Sequence, residues 1–172
     1  MQISVILSAV GGDRPGLTQG LARAVFAAGG NWLESNLRRL GGKYAGAVLV
    51  ELNADRLGEL EAAVQRLNDG GLVVSIAPAG EAPPIAGKPL SFELVGQDRP
   101  GIVQEVTAVL AGLGVNIEDF TTRTEMGAWS AERLFRAAAQ LTVPENTSPD
   151  DVQTALEAIS GEIMVDFTIK PA

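Results

Sequence analysis

The sequence contains no cysteine and no histidine. Without cysteine the protein cannot form disulfides or use thiolates as nucleophiles or as ligands of zinc and iron–sulfur clusters. Without histidine it lacks the usual general base at neutral pH. Much enzyme chemistry is thereby excluded, and no cluster of other side chains in the sequence replaces it. We therefore expect a protein that is not an enzyme and that uses neither a metal nor a cofactor.

Positive charge is also scarce. Thirteen Lys and Arg stand against 21 Asp and Glu, which gives a formal net charge of −8. Such a chain repels phosphate backbones and anionic lipid headgroups. No apolar run approaches the roughly 20 residues of a membrane span, and the first residues lack the basic region of a secretion signal. We expect a cytoplasmic protein that binds neither a membrane nor nucleic acid directly.

A seven-residue motif occurs twice in the chain. The sequence GGDRPGL at residues 11–17 returns as GQDRPGI at residues 96–102, so Asp13 recurs as Asp98, 98 − 13 = 85 positions later. Each copy follows alternating apolar and polar residues, the pattern of a strand with one buried face. The alternating apolar residues are Ile3, Val5 and Leu7 in the first copy and Leu90, Phe92 and Leu94 in the second. A repeat of this length predicts two domains.

After each motif, apolar residues recur at helical spacing. The matched positions are Leu17, Leu21, Ala24, Val25 and Ala28, and then Ile102, Val106, Val109, Leu110 and Leu113. We predict helices over about residues 15–28 and 100–113, each with proline at its first position. Gly29 and Gly114 follow, and a left-handed glycine commonly ends a helix.

The rest of each copy predicts two strands, a second helix and a final strand. The strands are expected at residues 31–40, 44–52 and 72–76, and then at 116–126, 133–143 and 163–169. The second helices are offset by 152 − 60 = 92 positions, which indicates seven residues inserted near GAWSAER at 127–133. The fold class is therefore α+β, with two ferredoxin-like βαββαβ domains in tandem. Each antiparallel sheet carries its helices on one face, with domains at residues 1–78 and 89–172 and a proline-rich linker at 79–88.

The repeated motif has the features of an anion-binding turn. Glycine lets a ligand approach the backbone closely, and the free N–H groups at a helix start attract a negative group such as a carboxylate. Asp13 and Asp98 can complement the helix end in the empty state or accept hydrogen bonds from an ammonium group. The alternative is that the motif only turns a strand into a helix. Its recurrence in a matched context favours ligand binding.

Other residues carry weaker indications. Asn31 and Asn116 follow the first helices at matched positions, either as ligand contacts or as turn residues with positive φ. Trp32, Phe120 and Trp129 are expected as core or interface aromatics. The residues expected on solvated strands, without the spacing of metal ligands, are Glu34, Arg38, Arg39, Glu118 and Asp119.

The doubled motif, the matched asparagines and the βαββαβ pattern make nearly the whole chain resemble the ACT domain, a regulatory module that binds amino acids. The two halves together most resemble the glycine cleavage system transcriptional repressor family. The resemblance implies that the motif residues and the asparagines line effector sites. These residues are Asp13, Arg14, Pro15, Gly16, Leu17 and Asn31, and then Asp98, Arg99, Pro100, Gly101, Ile102 and Asn116.

The same resemblance implies partners. The effector would be a small amino acid, glycine or a similar one, and regulation would run through a protein partner such as a DNA-binding activator. The alternative is a regulatory subunit that binds an amino acid and docks on a biosynthetic enzyme. The insertion near Trp129 makes the halves unequal, so one effector site can be lost or altered.

The length of the first helices places the motif and the asparagine apart. A helix of about 14 residues spans roughly 20 Å, so the two ends of one domain cannot hold one small ligand. If a pseudo-two-fold axis relates the domains, the turn of one faces the asparagine of the other. We predict composite sites that join residues 13–17 with Asn116 and residues 98–102 with Asn31. We also expect the domains to pack together and the chain to be capable of forming a homodimer.

Overall fold

A computed structural model describes residues 1–80, 86–127, 132–159 and 164–168. The chain divides into two compact units, Met1–Ala82 and Pro83–Ala172, here called the first and second repeat. Both repeats have the predicted order of strands and helices. The two ferredoxin-like βαββαβ folds of the α+β class are thus confirmed. None of the helices in these ranges combines the length and the apolar character needed to cross a bilayer.

The first repeat is a four-stranded antiparallel sheet with two helices. Its elements are β1 (Gln2–Gly12), α1 (Leu17–Ala27), β2 (Asn31–Leu40), β3 (Lys43–Asn53), a short 3₁₀ turn (Ala54–Arg56), α2 (Leu57–Asp69) and β4 (Leu72–Pro78). The strand order is β2-β3-β1-β4. Because β1 lies in the middle of the sheet, the turn that follows it is held between paired strands and α1.

The second repeat has the same topology. Its elements are β5 (Lys88–Gln97), α3 (Ile102–Gly112), β6 (Asn116–Met126), β7 (Arg133–Val143), α4 (Pro149–Glu157) and β8 (Met164–Thr168). The strand order is β6-β7-β5-β8. Residues 163 and 169, which were predicted to belong to the last strand, lie outside the described residues, as does Trp129.

Each repeat has its own hydrophobic core between the sheet and the helices. In the first repeat Leu7, Leu21 and Leu60 are fully buried, from β1, α1 and α2 respectively. In the second repeat Phe92, Val106 and Val152 are buried at the equivalent places. Burying one such side chain contributes about 1.5 to 3 kcal/mol relative to leaving it exposed. The aromatics Trp32 and Phe120 are partly buried against these cores, as one of the two interpretations of the sequence predicted.

The first helix of each repeat ends in a Schellman motif. Gly29 and Gly114 have φ of 66° and 68°, in the left-handed region. The N–H of Gly30 donates to the carbonyl of Val25 at 2.9 Å, and the N–H of Val115 donates to the carbonyl of Leu110 at 3.0 Å. The predicted termination of both helices by a left-handed glycine is confirmed.

The strand register locates the extra residues of the second repeat. Ala9 in β1 pairs with Gly46 in β3, and its counterpart Leu94 in β5 pairs with Ala137 in β7. Equivalent residues of the two repeats are therefore 94 − 9 = 85 positions apart before the β6–β7 hairpin and 137 − 46 = 91 positions apart after it. The hairpin of the second repeat thus contains six extra residues and not the seven that were predicted. The seventh extra residue lies between β7 and the buried face of α4.

Candidate ligand-binding turns

The repeated motif leaves the central strand and enters the first helix through a left-handed glycine. Gly16 and Gly101 are the N-cap residues of α1 and α3, each with φ of 91°. A side chain at this backbone conformation is strained, which explains why the same residue stands at both places. A glycine N-cap also has no side chain that could accept hydrogen bonds from the first helical N–H groups.

The predicted position of the prolines is wrong. The sequence placed Pro15 and Pro100 at the first helical position, but α1 begins at Leu17 and α3 begins at Ile102. The left-handed glycine after each proline breaks the helical path, so the proline lies one residue before the N-cap. Its fixed φ stiffens the approach to the turn and does not begin the helix.

The aspartates of the motif form ion pairs with arginines from other strands of the same sheet. Asp13 contacts Nε of Arg39 at 3.0 Å, and Asp98 lies 3.9 Å from a guanidinium nitrogen of Arg133. The carboxylates that were predicted to complement the helix end thus each have a guanidinium partner on a strand. Arg39 is exposed, as expected for a solvated strand, but its pairing with Asp13 was not foreseen. The sequence indicated only that Arg39 belongs to a strand of the same repeat, and the fold places this strand, β2, at the sheet edge with β3 between it and β1.

A cleft opens beside the first turn. It has a volume of about 400 Å³ and includes Arg14, Gly16, Gly20, Arg66 and Gly70 in its lining. Such a volume falls within the range of small-molecule sites, roughly 300 to 1,000 Å³. A guanidinium nitrogen of Arg14 donates a 2.5 Å hydrogen bond to the carbonyl of Gly70. The cleft therefore combines two cationic side chains with the N-terminal end of a helix.

Three of these lining residues were missed by the sequence analysis. Gly20, Arg66 and Gly70 belong to α1, to the end of α2 and to the connection that follows it. They lie outside the repeated motif, and an ordinary helix-to-strand connection gives no sign that it returns to the turn. Only the fold brings Arg66 to the same cleft as Arg14.

The second turn has a different polar environment. The guanidinium of Arg99 donates to both carboxylate oxygens of Glu105, at 2.8 and 2.5 Å. The hydrogen bond from Arg99 lowers the pKa of the Glu105 carboxyl below its ordinary value. A second cleft of about 430 Å³ lies near this turn and is lined by residues that include Gly96, Gln97 and Glu132.

The asparagines begin strands and do not occupy turns. Asn31 and Asn116 are the first residues of β2 and β6, and no residue other than glycine has a positive φ in the described part of the chain. The alternative of a positive-φ turn residue is therefore wrong. The side-chain amide of Asn116 donates to Glu118 at 2.6 Å. Within one repeat, an 11-residue helix separates the asparagine from the turn, which corresponds to about 16 Å.

The carboxylates on the second strands form no metal centre. Glu34, Glu118 and Asp119 are exposed, and Glu118 accepts a hydrogen bond from Thr142 at 3.0 Å. Within residues 1–80, 86–127, 132–159 and 164–168, no group of three or more acidic side chains could hold a metal ion. Each of the three stands on a solvated strand, as predicted.

Comparison with known protein families identifies the family of the chain. The family model described as the ACT domain matches residues 4–72 and 90–169, which is most of both repeats. The chain belongs to the ACT domain family. The match in two separate segments agrees with the tandem arrangement predicted from the repeated motif. ACT domains are regulatory modules that bind small ligands. A regulatory, ligand-binding protein is also what the resemblance noted in the sequence implied.

Individual relatives of this tandem ACT protein extend over almost its whole length. The "Glycine cleavage system transcriptional repressor" of Escherichia coli (strain K12) is 23% identical over 170 residues, covering 96% of this chain and 88% of the relative. The protein of the same name from Shigella flexneri matches equally. The crystal structure of an unknown protein from Galdieria sulphuraria is 30% identical, with a TM-score of 0.78, and the match covers 97% of this chain and 98% of the other.

Proposed function

We propose that this tandem ACT protein is a non-catalytic, amino-acid-responsive regulator of glycine cleavage gene expression that acts through a protein partner. The observation that carries the proposal is the cleft at the first turn, where Arg14 and Arg66 stand beside the start of α1. Similarity to the repressors of Escherichia coli and Shigella flexneri over 96% of the chain supports the assignment to glycine cleavage.

The chemistry of the cleft suits the carboxylate of an amino acid. The first N–H groups of α1 and the helix dipole favour a negative group, and the guanidinium of Arg14 can donate to it. Asp13 offers a carboxylate nearby for an ammonium group. Leu17 and Leu67 add apolar surface to the lining of the cleft. Because the similar proteins of Escherichia coli and Shigella flexneri are glycine cleavage system repressors, we expect the effector to be glycine or a similar small amino acid.

The charge of the protein supports indirect regulation. A net charge of −8 opposes binding to a phosphate backbone, whose affinity comes largely from cationic side chains. The protein would therefore act on gene expression by contacting a DNA-binding activator and would not occupy DNA itself. Effector binding at the turn would change the affinity for that activator.

A thermal-shift screen of the twenty amino acids tests the effector. Ligand at 100 times its dissociation constant stabilises a protein by about 2.7 kcal/mol, so the midpoint of unfolding should rise by several degrees for glycine or another small amino acid. The variant Arg14→Gln should weaken that ligand by roughly ten- to a hundred-fold, because it removes a charge-assisted hydrogen bond. Arg23→Gln, an exposed position on the same helix, is the matched control and should bind as the wild type does.

Affinity capture and fluorescence anisotropy test the partner. The chain alone should show no sub-micromolar affinity for duplex DNA near physiological salt, and should retain a DNA-binding activator in an effector-dependent way. If it instead retains an amino-acid biosynthetic enzyme, the transcriptional role is wrong and the enzyme-subunit alternative holds. Equal binding by the wild type and Arg14→Gln would show that the cleft is not the effector site.

A further inference from the structure

The two turns have the same backbone conformation at their N-cap glycines but differ in the side chains around them. In the second repeat, the Glu105 side chain folds back from the first turn of α3, and Arg99 holds both of its oxygens. The oxygen Oε1 of Glu105 lies 3.7 Å from the point where a Cβ would stand on Gly101. A carboxylate of the protein itself therefore sits at the second turn.

In the first repeat a glycine stands in place of this side chain. The position equivalent to Glu105, 85 residues earlier, is Gly20, which lines the cleft at the first turn. Arg14, the counterpart of Arg99, reaches across to the backbone carbonyl of Gly70 at 2.5 Å. A carbonyl is a neutral acceptor, whereas hydrogen bonds to a carboxylate are roughly twice as strong. An incoming carboxylate would thus improve the pairing of Arg14.

We infer that the turns are functionally unequal: the first takes the ligand carboxylate, and the second is closed by the carboxylate of Glu105, which stands where the ligand would bind. This inference rests on the proposed function, since it concerns the same effector. It predicts one effector per chain. It also identifies residues 20 and 105 as the positions that decide which turn is open.

The electrostatics of the two turns favour this difference. At the first turn, a ligand carboxylate meets the guanidinium of Arg14 and the start of α1 without a competing anion from position 20. At the second turn the ligand must displace Glu105 from a bidentate pair or lie beside it as a like charge. One charge-assisted hydrogen bond corresponds to roughly ten- to a hundred-fold in affinity. We expect the second turn to be weaker than the first by at least that factor.

Reciprocal substitutions at these positions test the inference. The full-length ¹⁵N-labelled chain is titrated with glycine and followed by NMR. The backbone amide signals of Leu17 and Ile102 report on the first and the second turn, and calorimetry gives the number of glycine molecules bound per chain. In the wild type, the Leu17 amide should shift and the Ile102 amide should not, with one glycine bound. Glu105→Ala should add a second glycine and a shift at Ile102. Gly20→Glu should abolish the shift at Leu17.

Gly20→Ala is the matched control for the closing substitution. A Cβ at position 20 would lie 3.3 Å from Cδ2 of Leu67, the end of a flexible side chain that can move by a few tenths of an ångström. Gly20→Ala should therefore retain glycine at the first turn with less than a three-fold loss of affinity. If Gly20→Glu does not fold, the Glu105→Ala variant still decides the inference by the number of ligands bound.

The outcomes separate this inference from the proposed function. Equal binding at both turns of the wild type, or a shift at Ile102 alone, would contradict the inference and leave the effector role intact. A single site in both the wild type and Glu105→Ala would contradict the closure by Glu105. If glycine shifts neither amide in any variant, the titration is repeated with the other nineteen amino acids, and an absence of shifts in all of them overturns both.

Discussion

The left-handed glycine of the first turn allows a sharp test of why the motif requires that residue. Gly16 has φ of 91°, and a Cβ added there would meet no heavy atom within 4 Å. The substitution Gly16→Ala therefore introduces backbone strain without a steric clash. The left-handed conformation costs an L residue about 1 to 2 kcal/mol, and we expect the free energy of unfolding to fall by that amount.

Gly12→Ala is the matched control for this strain. A Cβ at Gly12 would also meet no heavy atom within 4 Å, but the φ of Gly12 lies outside the left-handed region. Its substitution should leave the free energy of unfolding within about 0.5 kcal/mol of the wild type. Gly16→Asn should lose less than Gly16→Ala, because asparagine tolerates left-handed φ better than alanine does.

Urea denaturation followed by circular dichroism measures all three variants. The difference between Gly16→Ala and Gly12→Ala isolates the conformational cost, since the two sites offer the same free space. A loss at Gly16 no larger than that at Gly12 would refute the reasoning. The turn would then relax to a different backbone conformation, and glycine would stand at both N-caps for a reason other than its φ.

Three further predictions concern the packing and the charges of the repeats. Leu21→Ala should lower the free energy of unfolding by about 2 to 5 kcal/mol in urea denaturation, because it empties a fully buried position. Thr18→Val and Tyr44→Phe, which remove the 2.6 Å hydrogen bond between the two hydroxyls, should each cost about 0.5 to 1.5 kcal/mol and show coupling in a double-mutant cycle. Acid should destabilise the second repeat before the first, as seen in its amide signals between pH 6 and pH 2. Hydrogen bonds hold the pKa of three carboxyl groups of this repeat below their ordinary values, so their stabilisation is complete above the unfolded pKa of about 4 and is lost as the pH falls below it. The three groups and their principal donors are Glu105 with Arg99, Glu125 with Arg136, and Asp151 with Ser148.

The sequence was sufficient to predict the fold because its main signals are local and occur twice. Alternation around Leu7 and Leu94 identified the central strands, and helical spacing followed by Gly29 and Gly114 identified the first helices. The second strands alternate less regularly for a reason that the structure supplies. A β-bulge shifts the register between Trp32 and Glu34, and the second repeat has one at the matching place. One extra residue reverses the alternation of faces, so a simple period of two fails there.

The candidate site was harder to predict because its residues come together only in the folded chain. The motif was recognised, yet the helix start was misplaced by two residues, because the Pro-Gly pair was interpreted as the start of a helix. The same pair is typical of a type II turn, in which the glycine has a positive φ, as Gly16 has. Arg66 lies 66 − 14 = 52 positions from Arg14 and becomes its neighbour only because α2 packs beside α1. The difference between Gly20 and Glu105 was visible in the aligned repeats. The match of apolar positions between the repeats does not reveal it, because position 20 and its counterpart 105 do not carry apolar side chains.

Each first helix begins and ends next to a left-handed glycine, so its length sets the distance between the turn and the asparagine. Both α1 and α3 contain 11 residues, whereas α2 and α4 contain 13 and 9. One extra residue in α1 would rotate everything after it by about 100° and advance it by about 1.5 Å, which would move Asn31 out of phase with the turn. The two repeats thus differ in length at a hairpin and in the second helices, whereas the spacing from the turn to the asparagine is the same to the residue.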